Sequence, residues 1–170
     1  MIMNYREWLK SVPPELTGDP LWTIEAYRLA LFAADIGWAD VTKLMQDKRT
    51  VDLAGQLYRA LGSIAANISE GLSRNSGRDR ARFYEYSLGS AREARTWHYG
   101  ARHILGELVA RHRMQLLTQI IRLLLVMIPD QRSGALREEA AEYRVAVESS
   151  FYDTSSLPPL DQLLDTIPKS

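Results

Sequence analysis

TVDLAGQLYRALGSIAANISEG, residues 50–71, is the stretch that decides the fold. Its apolar side chains recur every three or four residues, at Ala54, Leu57, Leu61, Ile64 and Ile68. That spacing places them on one side of a helix that packs nearly parallel to its neighbours. Thr50 has the side chain of a preferred N-cap, and Gly71 begins a turn. The stretch therefore predicts one helix in the core of a helical domain.

Similar spacing continues on both sides of this helix. Asp19-Pro20 predicts the start of an earlier helix that ends near Leu44, because an acidic N-cap followed by proline is a common helix start. After the turn at residues 71–77, a third helix is predicted from about Arg78 to Ala110. A fourth helix is predicted to follow a break near residues 110–113 and to end at Pro129. The third helix is expected to bury a stripe with many small side chains: Phe83, Ser87, Ser90, Ala94, Trp97, Ala101, Ile104 and Leu108.

No segment alternates with the period of a strand, so the predicted fold class is all-α. Four long helices with short connections predict an antiparallel up-down four-helix bundle with a C-terminal extension. The chain divides into an N-terminal lead segment (1–19), the bundle (20–129) and the extension (130–170). The extension combines a short acidic helix, predicted from Ser133 to about Val147, with an arm that contains several Ser and Pro residues.

The charges balance over the whole chain but not along it. Lys plus Arg number 21, and Asp plus Glu also number 21. Residues 51–113 nevertheless contain ten Arg, no Lys and six acidic residues, so the basic excess is central and consists of arginine. The chain has no cysteine, which excludes disulfides and fits a reducing cytoplasm. The N-terminus has no leader-like apolar region, and the longest apolar run, Leu123–Ile128, is too short to span a bilayer. We expect a cytoplasmic protein with no membrane partner.

A polar motif interrupts the helical pattern at the end of the second helix and recurs in the third. Asn and Ser are mediocre residues in helix interiors, because they compete for backbone hydrogen bonds. One interpretation is a structural network that joins the two helices and fixes the tight turn. The other interpretation is a binding site. The residues concerned are Ser63, Asn67, Glu70, Gly71, Ser90 and Glu93.

Arginines are concentrated on one side of the third helix and at the turn before it. The arginine fork fits phosphate oxygens, and a tyrosine among arginines can stack on a base, so this side is a candidate nucleic-acid site. The alternative is an ordinary solvated face in which arginines alternate with acidic residues. The candidate residues are Arg74, Arg78, Arg82, Arg92, Arg95, Tyr99 and Arg102.

The residue patterns of common catalytic and metal sites do not occur in the sequence. There is no Glu-x-x-His pair of the kind that di-iron bundles use. His98 and His103 are five residues apart, which turns them away from each other on a helix. No Cys/His or Ser/His/Asp arrangement for nucleophilic catalysis stands out. We therefore expect no catalytic residue, no metal or cofactor, and no enzyme activity.

The second and third helices carry the residues of a known family pattern. They are Gln56-x-x-Arg59-Ala60-x-x-Ser63-Ile64, Asn67-Ile68-x-Glu70-Gly71, Phe83, Gly89-Ser90, Glu93 and Thr96. With them the chain resembles the bacterial four-helix-bundle proteins encoded in intervening sequences of 23S rRNA genes. It is similarly related to the accessory protein of diversity-generating retroelements. The resemblance implies a left-handed antiparallel bundle that assembles as a ring, typically a pentamer, and that is not an enzyme.

The expected function is that of a homo-oligomeric, non-enzymatic accessory protein that binds RNA or DNA through its arginines. The alternative is a structural or protein-interaction ring whose partner is another protein, such as the reverse transcriptase that the retroelement resemblance implies. Self-association is expected because Leu123–Ile128 is apolar on all sides, and a single neighbouring helix cannot cover such a segment.

Overall fold

The computed structural model describes residues 4–132 and 157–170, and within these ranges the chain is helical and contains no strand. The helix predicted from Ser133 lies outside the described residues. The elements are α1 (Tyr5–Ser11), α2 (Pro14–Thr17), a 3₁₀ turn (Pro20–Thr23), α3 (Glu25–Leu44), α4 (Val51–Leu72), α5 (Gly77–Leu105), α6 (Glu107–Arg132) and α7 (Leu160–Asp165).

The four long helices, α3 to α6, pack against one another in a closed cycle, which we call the four-helix core. α3 packs on α4, α4 on α5, α5 on α6, and α6 again on α3. The stripe predicted for residues 50–71 faces the middle of this cycle, and all five of its side chains are buried. The predicted helix and its buried stripe are therefore confirmed, but α4 continues through Gly71 to Leu72, and Thr50 at its start makes no side-chain capping hydrogen bond.

The first long helix begins later than predicted. The Asp19 carboxylate accepts a hydrogen bond from the Leu21 amide at 2.8 Å, as an N-cap should, but the element it caps is the short 3₁₀ turn. Ile24 then has an extended backbone with φ −83° and ψ 112°. α3 starts only at Glu25, because the extended backbone of Ile24 separates it from the 3₁₀ turn; the Ile24 carbonyl accepts a helical hydrogen bond from Arg28 N at 3.2 Å.

The boundary between the last two long helices also differs from the prediction. α5 ends at Leu105, and Gly106 has a φ of 92°, a conformation that residues with a Cβ rarely adopt. Helix α6 begins at the next residue, so the break lies several residues before the predicted one. At its other end α6 continues past Pro129 to Arg132. The Arg80 guanidinium donates to Gln131 Oε1 at 2.7 Å and holds this last turn.

The predicted stripe of α5 consists of two rows of side chains, of which one is buried as predicted and the other is displaced by one residue. Ser87, Ala94 and Ala101 are buried as predicted. Phe83, Ser90, Trp97 and Ile104 are only partly buried, and Leu108 is exposed. α5 lies between α4 and α6 and turns towards both helices. For this reason the residues that directly follow the four partly buried ones are buried instead: Tyr84, Ala91, His98 and Leu105.

Residues on both sides of the four-helix core add to its hydrophobic interior. On α1, the ring centroids of Tyr5 and Trp8 lie 5.1 Å and 5.3 Å from that of Phe32 on α3. On α7, Leu163 and Leu164 are buried, and this helix contacts α6 and α1. No helix in the described ranges is both long enough and apolar enough to cross a membrane.

Candidate nucleic-acid interface

Two arginine–tyrosine pairs lie on the surface of α5. The Arg82 guanidinium is 5.8 Å from the centroid of the Tyr86 ring, and the Arg102 guanidinium is 4.0 Å from that of Tyr99. Both rings are about half exposed, at 49% and 56%. Arg78, in the first turn of α5, is exposed as well. These residues can meet a ligand that approaches α5 from solvent.

Other candidate arginines contribute to the protein's own packing. Arg95 donates to Thr118 Oγ1 at 3.2 Å, which ties α5 to α6. Arg74 forms an ion pair with Glu70 and lies 4.5 Å from the centroid of the Phe83 ring. Arg92 is partly buried. The set singled out in the sequence is therefore divided between an exposed group on α5 and a group that stabilises helix contacts.

The residues of the polar motif lie on α4 and α5, and the hydrogen bonds of their side chains connect residues that are close in sequence. Asn67 Nδ2 donates to the Ser63 carbonyl at 2.8 Å, and Ser90 Oγ donates to the Tyr86 carbonyl at 3.0 Å. Glu93 is exposed and accepts a hydrogen bond from Trp97 Nε1 at 3.1 Å. The direct bond between the two helices comes from another residue: Ser87 Oγ donates to the Ile64 carbonyl at 2.9 Å.

Gly71 is the member of the motif for which the structure gives the clearest physical reason. A Cβ at this position would lie 2.7 Å from Tyr84 Cε1 and 3.1 Å from Phe83 Cβ. Only glycine allows α4 to approach the aromatic rings of α5 this closely. The end of α4 therefore packs directly on Tyr84, which is buried.

We expect Gly71→Ala to lower the free energy of unfolding by about 1–3 kcal/mol, because Tyr84 must move to admit the methyl group. The matched control is Gly89→Ala in the middle of α5, where a Cβ meets nothing within 4 Å. That exposed change should raise stability by up to about 1 kcal/mol through helix propensity. Urea unfolding of both variants followed by circular dichroism measures the difference. Equal stability of the two variants would contradict the packing argument.

A buried cluster of charged and polar side chains was not predicted from the sequence. Asp40 on α3 is fully buried, and its carboxylate accepts hydrogen bonds from Arg113 Nε at 2.7 Å and Nη2 at 3.2 Å. His98 on α5 places Nε2 3.5 Å from the same carboxylate, and its Nδ1 lies 3.0 Å from the Ala94 carbonyl. His112 completes the cluster, with Nδ1 accepting a hydrogen bond from Arg113 Nη1 at 2.9 Å.

Two groups of this cluster, Asp40 and His112, have lowered pKa values. Burial by itself would raise the pKa of Asp40, but the nearby His98 imidazole, the hydrogen bonds from Arg113 and the Arg113 charge outweigh it and lower the pKa. Burial lowers the pKa of His112 to about 4, although its hydrogen bond to the Leu163 carbonyl acts in the opposite direction. Asp40 is therefore ionised and His112 neutral at pH 7. Within the described residues no group of three or more His, Cys, Asp and Glu side chains could hold a metal ion.

A shallow groove of about 610 Å³ runs between α3 and α4. Small side chains line much of it, and Trp38 and Tyr58 form an edge-to-face pair at 5.7 Å between ring centroids. These two rings are 61% and 51% exposed. By contrast, most of Leu123–Ile128 is covered within the chain, and only Val126 in this run is exposed. This exposed aromatic pair therefore lies on α3 and α4, whereas the apolar run of α6 is mostly covered.

The comparison with protein families gives a match that covers the long helices. The family of 23S rRNA-intervening sequence proteins matches residues 24–127, which is more than half of the chain. The chain belongs to this family. No curated protein and no solved structure matched it.

The region shared with the 23S rRNA-intervening sequence proteins corresponds to the four-helix core. It starts at Ile24, just before α3, and ends within the last turns of α6. It includes the arginine–tyrosine pairs, the groove and the whole buried cluster. Helices α1 and α7 lie outside the matched region.

Proposed function

We propose that this protein is a non-enzymatic, homo-oligomeric accessory protein that binds nucleic acid through the exposed arginines of α5. The observation that carries the proposal is the pairing of Arg82 with Tyr86 and of Arg102 with Tyr99. A guanidinium held over a ring has fewer conformations to lose on binding. Arg82 is exposed, whereas Arg102 is partly buried. Arg102 donates to the Tyr99 carbonyl at 2.7 Å and lies 3.6 Å from Glu107 Oε1. Phosphate oxygens accept guanidinium N–H groups, and the half-exposed tyrosines offer faces for bases.

The proposed architecture is an antiparallel up-down bundle that self-associates in a ring, with a pentamer as the form that the resemblance implies. Short connections between consecutive long helices support the antiparallel order, since Gly106 alone separates α5 from α6. The exposed Trp38–Tyr58 pair supports self-association, because aromatic side chains are enriched where proteins meet. Repetition of α5 in each copy would add weak phosphate contacts together, so that a chain of balanced charge binds a polyanion.

We expect labelled RNA and DNA oligomers to bind at low salt with little sequence preference, and to dissociate as salt is added. Six phosphate contacts, two from each of three copies, would lose about 1000-fold in affinity between about 50 and 200 mM salt. Fluorescence anisotropy measures the affinity, and light scattering on the same samples gives the number of copies. Absence of binding at low salt would reject the nucleic-acid proposal, and a mass of 19.3 kDa at high concentration would reject the oligomer.

A second candidate function is a protein-interaction ring whose partner is another protein, for example a reverse transcriptase. The groove between α3 and α4 favours it, since Trp38 and Tyr58 are exposed beside Arg59 and Asp35. A rigid aromatic pair next to charged groups resembles the anchor of a protein interface. The salt titration separates the two functions, because the groove is not expected to bind an oligonucleotide.

A further inference from the structure

Residues 157–170, which we call the tail, contact the rest of the protein through a small set of groups. Leu163 and Leu164 of α7 are its buried side chains, and they lie against α6 and α1. Asp165 adds an exposed ion pair with Arg6 of α1 at 3.6 Å. A groove of about 220 Å³ remains open between the tail and α6. We call the surface of α1 and α6 under the tail the tail site.

Two side chains of α6 recognise the backbone of the tail. His112 Nε2 lies 2.7 Å from the Leu163 carbonyl and donates to it, since a carbonyl can only accept. Arg113 Nη2 donates to the Pro168 carbonyl at 3.2 Å. The Leu163 carbonyl belongs to the last turn of α7, where carbonyls lack partners within the helix. A nearby guanidinium is also favourable at this end, because the helix dipole is negative there.

The tail site is prepared by the four-helix core. Asp40 holds Arg113 in place through two hydrogen bonds, and Arg113 in turn donates to His112 Nδ1. That last bond leaves the proton of neutral His112 on Nε2, which faces the tail. Both donors are therefore oriented by groups outside the tail, and the tail supplies the two carbonyls that accept from them.

We propose that the tail site is a peptide-binding site whose ligand is the tail itself, bound as a separable segment. The same site then accepts residues 157–170 of another copy of this chain. The tail site recognises a leucine pair on a short helix, together with the backbone carbonyls that accept from His112 and Arg113. Residues 133–156 separate the tail from α6 by 24 positions of the sequence, a length for which a fully extended chain spans about 80 Å at most.

The test uses the full chain with a protease cleavage sequence placed within residues 133–156. After cleavage we expect the four-helix core to remain folded and a fluorescent peptide of residues 157–170 to replace the original tail. The uncut chain should bind the same peptide about 100-fold more weakly, because its own tail competes at an effective concentration in the millimolar range. A peptide with Leu163→Asp and Leu164→Asp is the control and should not bind. Loss of helicity on cleavage, or failure of the peptide to bind the cleaved chain, would overturn the proposal.

The pH dependence of peptide affinity gives a second readout, which nonspecific adsorption of the peptide would not reproduce. The charged and titratable groups around His112 are Arg113 on its own helix, Asp40 on α3 and His98 on α5. Burial lowers the pKa of His112 and the tail covers this side chain, so the tail-bound state favours neutral His112, although the hydrogen bond to the Leu163 carbonyl acts in the opposite direction. Peptide affinity should then fall by about tenfold or more as the pH drops from 6.5 towards 4. His112→Gln keeps an N–H donor but does not titrate, and it should flatten this dependence; an unchanged pH profile would contradict the role of His112.

Discussion

Asp40→Ala is expected to lower the free energy of unfolding by about 3–5 kcal/mol, because it leaves the buried Arg113 guanidinium without its anion. Asp40 is 0% exposed and Arg113 2% exposed, so water cannot replace the lost carboxylate without opening the core. His98 also loses the group that faces its Nε2. Since small domains are stable by only about 5–15 kcal/mol, this single change should remove much of the stability. Urea unfolding at pH 7 measures the loss.

Asp35→Ala is the matched control for this prediction. Asp35 lies on the same helix and is exposed, and no hydrogen bond or ion pair joins it to the described part of the chain. Its replacement should change stability by about 0.5 kcal/mol or less. The double variant Asp40→Leu/Arg113→Met removes both charges and should recover much of the loss, because apolar residues of similar volume can replace a buried ion pair. A double variant as unstable as Asp40→Ala would contradict the explanation from an unpaired charge.

The periodic part of the fold could be predicted from the sequence, because the spacing of apolar residues reports which side of a helix is buried. The stripe of α4 shows this, since all five residues named from their spacing are buried. On α5 the same reasoning placed Ser87, Ala94 and Ala101 correctly but put the other row of the stripe one residue away. Small residues occur on several sides of that helix, and α5 contacts two neighbours, so the period alone does not select among its faces.

The buried cluster was missed although the sequence contained a signal for it. Asp40 continues the three–four spacing of Ala26, Leu29, Ala33 and Ile36 on α3, which places a carboxylate in the core. A buried carboxylate requires a cation, and that requirement could have been stated from the sequence. The identity of the cation could not, because Arg113 lies 73 positions further along the chain. Contacts at such distances depend on how the helices pack and not on local pattern.

The candidate site was predicted in outline and not in detail. The concentration of arginine on α5 was visible, but periodicity did not show that Arg95 reaches Thr118 on α6 or that Arg74 pairs with Glu70. Long side chains reach neighbouring helices, so the position of a residue on a helical wheel does not fix where its charge lies. Arg78 and Arg82 are exposed, which makes them the appropriate positions for testing nucleic-acid binding.

The double variant Arg78→Glu/Arg82→Glu is expected to weaken binding of RNA and DNA by about 100-fold at about 50 mM salt. Each copy then loses two cations near the ligand and gains two anions that repel phosphate. Arg82 also leaves the Tyr86 ring, so the orientation of the guanidinium is lost with the charge. Because both positions are exposed, helicity and thermal stability should remain close to those of the original chain. Anisotropy titrations over a range of salt concentrations measure the affinity and its salt dependence.

The control for this variant is Lys10→Glu/Lys48→Glu, which makes the same change in charge at two exposed positions away from α5. If long-range attraction by net charge caused binding, both double variants would weaken it to a similar extent. If phosphates contact α5, only the change at Arg78 and Arg82 should lower the slope of log affinity against log salt, by about 2 for each copy that contacts duplex DNA. An unchanged slope in that variant would remove α5 as the binding surface. It would leave the α3–α4 groove, and with it the protein-interaction function, as the remaining proposal.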